Sequence, residues 1–126
     1  MNKTLIITGG SSGIGEATAR LFANKGWSVY ELSRHGKTND NIVHIDCDVT
    51  NETQVAQAVE AIAQKEEKID LLISNAGFGI SGAIEFTQTA DARRQLEVNV
   101  LGSLNIAKAV LPYMRQKRDG MIIFTS

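Results

Sequence analysis

The chain alternates short, almost wholly apolar runs with longer stretches whose apolar residues recur at helical spacing, and a glycine-rich segment separates the first run from the first such stretch. Few architectures accept that pattern. Runs of strand length that are apolar throughout belong to strands covered on both faces, the condition of a parallel sheet with helices above and below it. Right-handed crossovers between consecutive parallel strands then lead to an open, doubly wound α/β sheet. Strands are expected at Leu5–Thr8, Trp27–Leu32, Ile42–Asp46, Ile69–Ser74 and Met121–Phe124, in the spatial order 3-2-1-4-5. The first helix should turn Ile14, Ala17, Leu21 and Phe22 toward the sheet and close at Lys25-Gly26. The second should be capped by Thr50 and bury Val55, Val59 and Ile62. Ala92–Lys117 reads as one long helix, bent near Pro112.

At 126 residues with 43% hydrophobic content, the chain is long enough for one domain with a sizeable core, and residues 1–126 are expected to form a single unit. A formal net charge of -1 gives no general attraction to nucleic acid or anionic membranes. Cys47 is the only cysteine, so neither an intrachain disulfide nor a metal-binding cysteine pair is expected; a reducing, cytoplasmic setting is. The apolar run behind the N-terminus is too short for a signal peptide or a membrane span. His35 and His44 have no companion at metal-ligand spacing, so no metal site is expected and surface or packing roles are assigned to them.

In an open α/β sheet, ligands sit at the carboxyl ends of the strands, near the point where strand order reverses. Thr8-Gly9-Gly10-Ser11-Ser12-Gly13-Ile14-Gly15 lies there, between first strand and first helix, where backbone N–H groups and a helix N-terminus can receive a pyrophosphate. Its spacing is Gly-x-x-x-Gly-x-Gly. Three further segments follow in order: Asp48-Val49 after the third strand, Asn75-Ala76-Gly77 after the fourth, and Asn99 within Val98-Asn99-Val100 on the long helix. Together these four resemble the short-chain dehydrogenase/reductase family over essentially the whole chain.

The resemblance implies a Rossmann-like fold that binds NAD(P) and transfers hydride between an alcohol and a carbonyl of a small substrate. Under it, Gly9, Gly10, Ser11, Ser12, Gly13, Ile14 and Gly15 form the cofactor loop, Asp48 and Val49 contact the adenine, and Asn75, Ala76 and Gly77 flank the ribose. Asn99, apolar-flanked and mid-helix, takes a catalytic role by holding a water in the proton relay. At the end of the second strand, Ser33 stands where NAD-dependent members carry aspartate, and Arg34 can accept a 2′-phosphate, so NADP(H) is favoured with NAD(H) as the alternative. Ser12 where many NADP-using members are basic, and Glu31 just upstream, weigh the other way.

The family's tyrosine, its lysine four residues later and its serine are expected beyond or at the last residue; Ser126 matches the first residue of the small-small pair that contains the serine. Tyr113 to Lys117 fits the Tyr-x-x-x-Lys spacing but precedes the serine strand, about 20 Å along the helix from Asn99 at about 1.5 Å per residue. The chain therefore reads as a cofactor-binding front portion that stops after the fifth strand, with a non-catalytic dinucleotide-binding or interaction module as the alternative. Leu96, Ile106, Val110 and Leu111 are candidates for either a homo-oligomer contact or the intramolecular core.

Overall fold

The computed structural model describes residues 2–11, 13–39, 41–75, 77 and 82–125. Five parallel strands, β1 (Thr4–Thr8), β2 (Ser28–Ser33), β3 (Ile42–Asp46), β4 (Leu71–Ser74) and β5 (Met121–Phe124), form one sheet in the order β3-β2-β1-β4-β5. The doubly wound, Rossmann-like topology read from the sequence is the one observed. Every residue of the central strand β1 is 1% exposed or less, as a strand with a neighbour on each side and helices on both faces must be.

Helices α1 (Gly13–Asn24) and α2 (Glu52–Lys65) follow β1 and β3. A long helical segment follows β4: α3 (Thr89–Leu96), a wide π turn (Glu97–Leu101) and α4 (Gly102–Lys117). Side chains on alternating β positions sort into two cores. On one face Ile6, Leu32 and Leu72 pack with Val55, Val59 and Ile62 of α2 and with Ile106 and Val110 of α4. On the other, Leu5, Ile7, Val29, Leu71 and Ile73 meet Ala19 and Phe22 of α1.

Three local expectations differ from what is observed. Helix α1 buries Gly15 and Ala19, with Phe22 half-buried beside them, while Ile14 and Leu21 are exposed. The small residues win the sheet-facing side because α1 lies close to the strands. Helix α2 is capped by Asn51, whose side chain accepts from the Gln54 N–H, because the Thr50 hydroxyl is already committed to Asp48. The irregular turn of the long helix falls at Glu97–Leu101, and Pro112 lies within a continuous α4. There the Ser103 hydroxyl donates to the Asn99 carbonyl at 2.9 Å, a side-chain bond that competes with the regular backbone ladder. Single π turns inside α-helices are frequently found at functional sites.

Candidate functional site

Strand order reverses between β1 and β4, so the loops leaving the carboxyl ends of those strands and of their neighbours diverge around a crevice. A pocket of about 370 Å³ opens there. Gly9 and Ser11 line it from the loop after β1, Ser33 and Arg34 from the end of β2, Asp48 and Val49 from the turn after β3, and Gly77 from the segment after β4. Residues that are far apart in sequence thus share one cavity. Gly10, Gly13, Ile14, Gly15 and Asn75 are not among its lining, although Gly15 and Asn75 both lie against the Gly9 carbonyl; Ser12, Ala76 and Ser126 lie outside the described residues.

The glycine-rich loop is shaped by its surroundings. Gly9 has φ 66°, and its N–H donates to the Leu32 carbonyl at 3.1 Å, which bends the chain sharply off β1. Gly13 opens α1 at φ 59° with free space where a Cβ would stand, and the first turn of the helix leaves its backbone N–H groups without partners within the helix. A Cβ on Gly15 would run into the Gly9 carbonyl oxygen and the Asn75 amide, so the helix can approach the loop only with glycine here.

Asn75 laces the strand ends together. Its N–H donates to the Thr8 hydroxyl at 2.9 Å, its side-chain amide to the Gly9 carbonyl at 3.2 Å, and its side-chain oxygen accepts from the Thr125 hydroxyl at 3.0 Å. One asparagine therefore ties β1, β4 and the end of β5. Gly77 lies against the Asn99 side chain, whose oxygen is only 2.4 Å from where a Cβ would stand. Ser74 donates to Ser103, and Ser103 to the Asn99 carbonyl, so Asn99 is held from both its backbone and its side-chain side.

Two groups in the crevice have settled charge states. The Asp48 carboxylate accepts from the Thr50 hydroxyl at 2.7 Å and from the Thr50 N–H at 3.0 Å. The hydroxyl bond holds its pKa below the usual carboxylate value, the N–H and the positive charges of Arg94 and Arg34 add to this, and partial burial opposes it. Asp48 is an acceptor-only anion. Cys47 beside it is pushed up to about 11 by burial and then by the Asp48 charge, so it stays a neutral, unreactive thiol.

Three residues, Arg94, Val98 and His44, enter the neighbourhood without having been singled out for it, and Glu31, noted only as weighing on the cofactor choice, has a second role. Arg94 and Val98, one helical turn apart, line the far wall of the pocket. Only their position ahead of Asn99 on the same helix could have flagged them. Glu31 and His44 are a buried pair under the glycine-rich loop, and His44 has two carboxylate partners where a surface or packing role was expected. The available signal was a polar residue interrupting an apolar run, Glu31 between Tyr30 and Leu32 and His44 between Val43 and Ile45.

Neither tyrosine is at the crevice. The Tyr30 hydroxyl donates to Glu66 at 2.7 Å, past the end of α2, and Tyr113 lines a small cavity with Ala63, Ile69 and Lys117 at the amino ends of the strands. The Tyr113-to-Lys117 spacing is therefore a feature of the wrong end of the sheet.

Comparison with known proteins agrees with this geometry. The family model described as short chain dehydrogenase matches residues 3–126. The 3-ketodihydrosphingosine reductase of Bacteroides thetaiotaomicron is 44% identical over 122 residues, which are 94% of this chain and 45% of that protein. The ligand-free structure of the Thermoplasma acidophilum aldohexose dehydrogenase superposes with a TM-score of 0.91 at 37% identity, covering 98% of this chain and 48% of that one. A structure of ElxO with NADP bound gives a TM-score of 0.90 at 30% identity, covering 98% and 55%. The chain thus spans about half the length of these relatives. With the sheet order, the crevice and the matched residues all in agreement, the chain belongs to the short-chain dehydrogenase/reductase family of oxidoreductases.

Proposed function

We propose that this chain is the cofactor-binding portion of an NADP(H)-dependent oxidoreductase that interconverts an alcohol and a carbonyl on a small substrate. The observation that carries the reading is the convergence of Gly9, Ser11, Ser33, Arg34, Asp48, Val49 and Gly77 on one crevice at the strand-order reversal. The residues present fit a dinucleotide. The start of α1 at Gly13 offers backbone donors and a positive helix end to a pyrophosphate. Asp48 offers a fixed anionic acceptor to an exocyclic amine, and Val49 a buried apolar wall beside it. Arg34 is exposed at the end of β2, where a guanidinium makes charge-assisted bonds to a 2′-phosphate. A nicotinamide dinucleotide, when bound, supplies or accepts the hydride. Asn99, held at both ends beside Gly77, positions a water on the proton path. NAD(H) is the alternative cofactor, and the NADP-bound state of ElxO supports NADP(H).

Hydride transfer to a carbonyl also needs a group that protonates the developing alkoxide. Both tyrosines of the sequence lie away from the crevice, Tyr30 bonded to Glu66 and Tyr113 beside Lys117. That observation favours a second reading for residues 1–126 taken alone, a dinucleotide-binding module that turns nothing over. We place the protein in the cytoplasm, a reducing setting that suits the single cysteine, Cys47; separately, among the described residues no helix is long and apolar enough to cross a membrane. A homo-oligomer contact through Leu96 and Leu111 is part of the proposal, because both are exposed while Ile106 and Val110 are core.

Titrating the intact protein with NADPH and NADH, with Arg34→Ala as the control, tests the cofactor. NADPH should bind more tightly, and Arg34→Ala should weaken NADPH roughly tenfold or more while barely changing NADH, from the loss of charge-assisted hydrogen bonds. Equal NADPH affinity in both proteins would remove the 2′-phosphate assignment.

A further inference from the structure

Glu31 is a carboxylate 2% exposed, in the second half of β2, on the face covered by α1. Burial of an anion is costly unless it is paired and hydrogen-bonded. Its oxygens accept from the Gly10 N–H at 3.2 Å, from the Ser33 hydroxyl at 3.0 Å, and from Nδ1 of His44, its register partner on β3, at 2.5 Å. Nε2 of His44 lies 2.6 Å from the Asp46 carboxylate. A neutral imidazole has one N–H and cannot donate to two carboxylates at once, so this arrangement calls for the imidazolium. Burial lowers the pKa of His44, but the bonds to Asp46 and Glu31 outweigh it, and the net direction is upward.

Both loops that border the crevice close onto this pair. A Cβ on Gly10 would stand 2.7 Å from Cγ of Glu31, and one on Gly36 would stand 2.7 Å from Nδ1 of His44 and 2.9 Å from Oε1 of Glu31. The loop after β2 is fixed further by Thr38, whose hydroxyl accepts from the His44 N–H at 3.0 Å. Above the pair lies a second cavity of about 300 Å³, which shares Ser11 and His35 with the first. The titratable and charged groups facing it are His35 and Lys37 from the loop after β2, and Glu16 and Arg20 from α1, themselves paired at 3.1 Å. Asp46, on the far side of His44, is 82% exposed and well screened.

We propose that Glu31 and His44 are positioning residues that set preference at the cofactor's 2′ position. Paired, they form a neutral strut that holds Gly10 and Ser33 in place, and a 2′-phosphate is accepted beside Arg34. When His44 loses its proton, Glu31 becomes a buried, uncompensated anion directly behind Ser33, and it repels a 2′-phosphate far more than a 2′-hydroxyl. This inference rests on the cofactor reading above and extends it, since neither residue touches the ligand.

The test is the ratio of NADPH to NADH affinity of the intact protein, measured by fluorescence between about pH 6 and about pH 9, the span in which a histidine of raised pKa discharges. The wild-type ratio should fall roughly tenfold as pH rises, about 1.4 kcal/mol of added repulsion between Glu31 and the 2′-phosphate. Second ionisation of the 2′-phosphate, near about pH 6, acts in the opposite sense and is common to every variant. Glu31→Gln keeps an acceptor for Gly10 without the charge, so its ratio should stay flat. His44→Gln, which leaves Glu31 unpaired at every pH, should show the low ratio throughout and serves if Glu31→Gln does not fold. His35→Gln should keep the wild-type fall. Arg34-dependent NADPH binding with a flat wild-type ratio, or with the same fall in Glu31→Gln, would overturn the strut and leave the cofactor reading standing. No dinucleotide binding by any folded variant would overturn both.

Discussion

At the scale of single residues, the crevice is governed by where a side chain is forbidden. Replacing a helical glycine with alanine ordinarily stabilises a helix by about 1 kcal/mol. At Gly15 the added methyl would meet the Gly9 carbonyl oxygen, a backbone atom held by the turn off β1, as well as the Asn75 amide. Neither can give way without moving the loop. Overpacking of this kind costs about 1–3 kcal/mol, which exceeds the propensity gain. Gly15→Ala should therefore lower the urea midpoint of the intact protein and weaken dinucleotide binding at the same time. A raised midpoint would show that the loop can shift freely, and the close helix-to-loop contact would lose its significance. The contrast with Gly13 is instructive: open space surrounds its Cβ position, but φ of 59° makes it costly for other residues on conformational grounds alone.

Elements were legible where one strong pattern decided them and obscure where two weak ones competed. Helix α2 illustrates both. Val55, Val59 and Ile62 at three- and four-residue spacing announced its core face, and all three are buried. Its start was ambiguous, because Thr50 and Asn51 are both good caps and only the observed bond from Thr50 to Asp48 separates them. Asn51→Ala should cost about 1 kcal/mol of stability with an unchanged dependence on urea, the usual loss of an N-cap. A loss confined to Thr50→Ala would restore the cap assigned from the sequence. In α1 Phe22 packs on the sheet side as expected, but Ile14, Ala17 and Leu21 are exposed, because proximity to the sheet selects Gly15 and Ala19. The π turn was invisible to helical periodicity, since Val98-Asn99-Val100 reads as ordinary helix until the Ser103 side chain takes the Asn99 carbonyl. Glu31 and His44 were hidden for the same reason in the strands: a partner across a register is not written in either local sequence.

Across the whole molecule, the sheet is covered unevenly. Strand register pairs Met121 with Leu71 and Ile123 with Ile73, which places both β5 side chains on the face that α1 covers. Yet α1 packs over β1 to β3, and Met121 and Ile123 are 61% and 41% exposed. A parallel sheet is normally covered on both faces, and the outer edge of β5 has no neighbouring strand among the described residues. The chain also spans only about half the length of its relatives. If further chain covers this face in the intact protein, Ile123 is a core residue there despite its exposure here. Ile123→Lys should then destabilise the intact protein by roughly 2 kcal/mol or more, the cost of burying an unpaired amine or expelling the strand from its cover. In residues 1–126 expressed alone, the same substitution should change stability by no more than about 0.5 kcal/mol and should reduce self-association, because it charges an exposed apolar face. The comparison of urea midpoints decides: equal, small shifts in both proteins would mean that this face of β5 stays open to solvent whatever the chain's length.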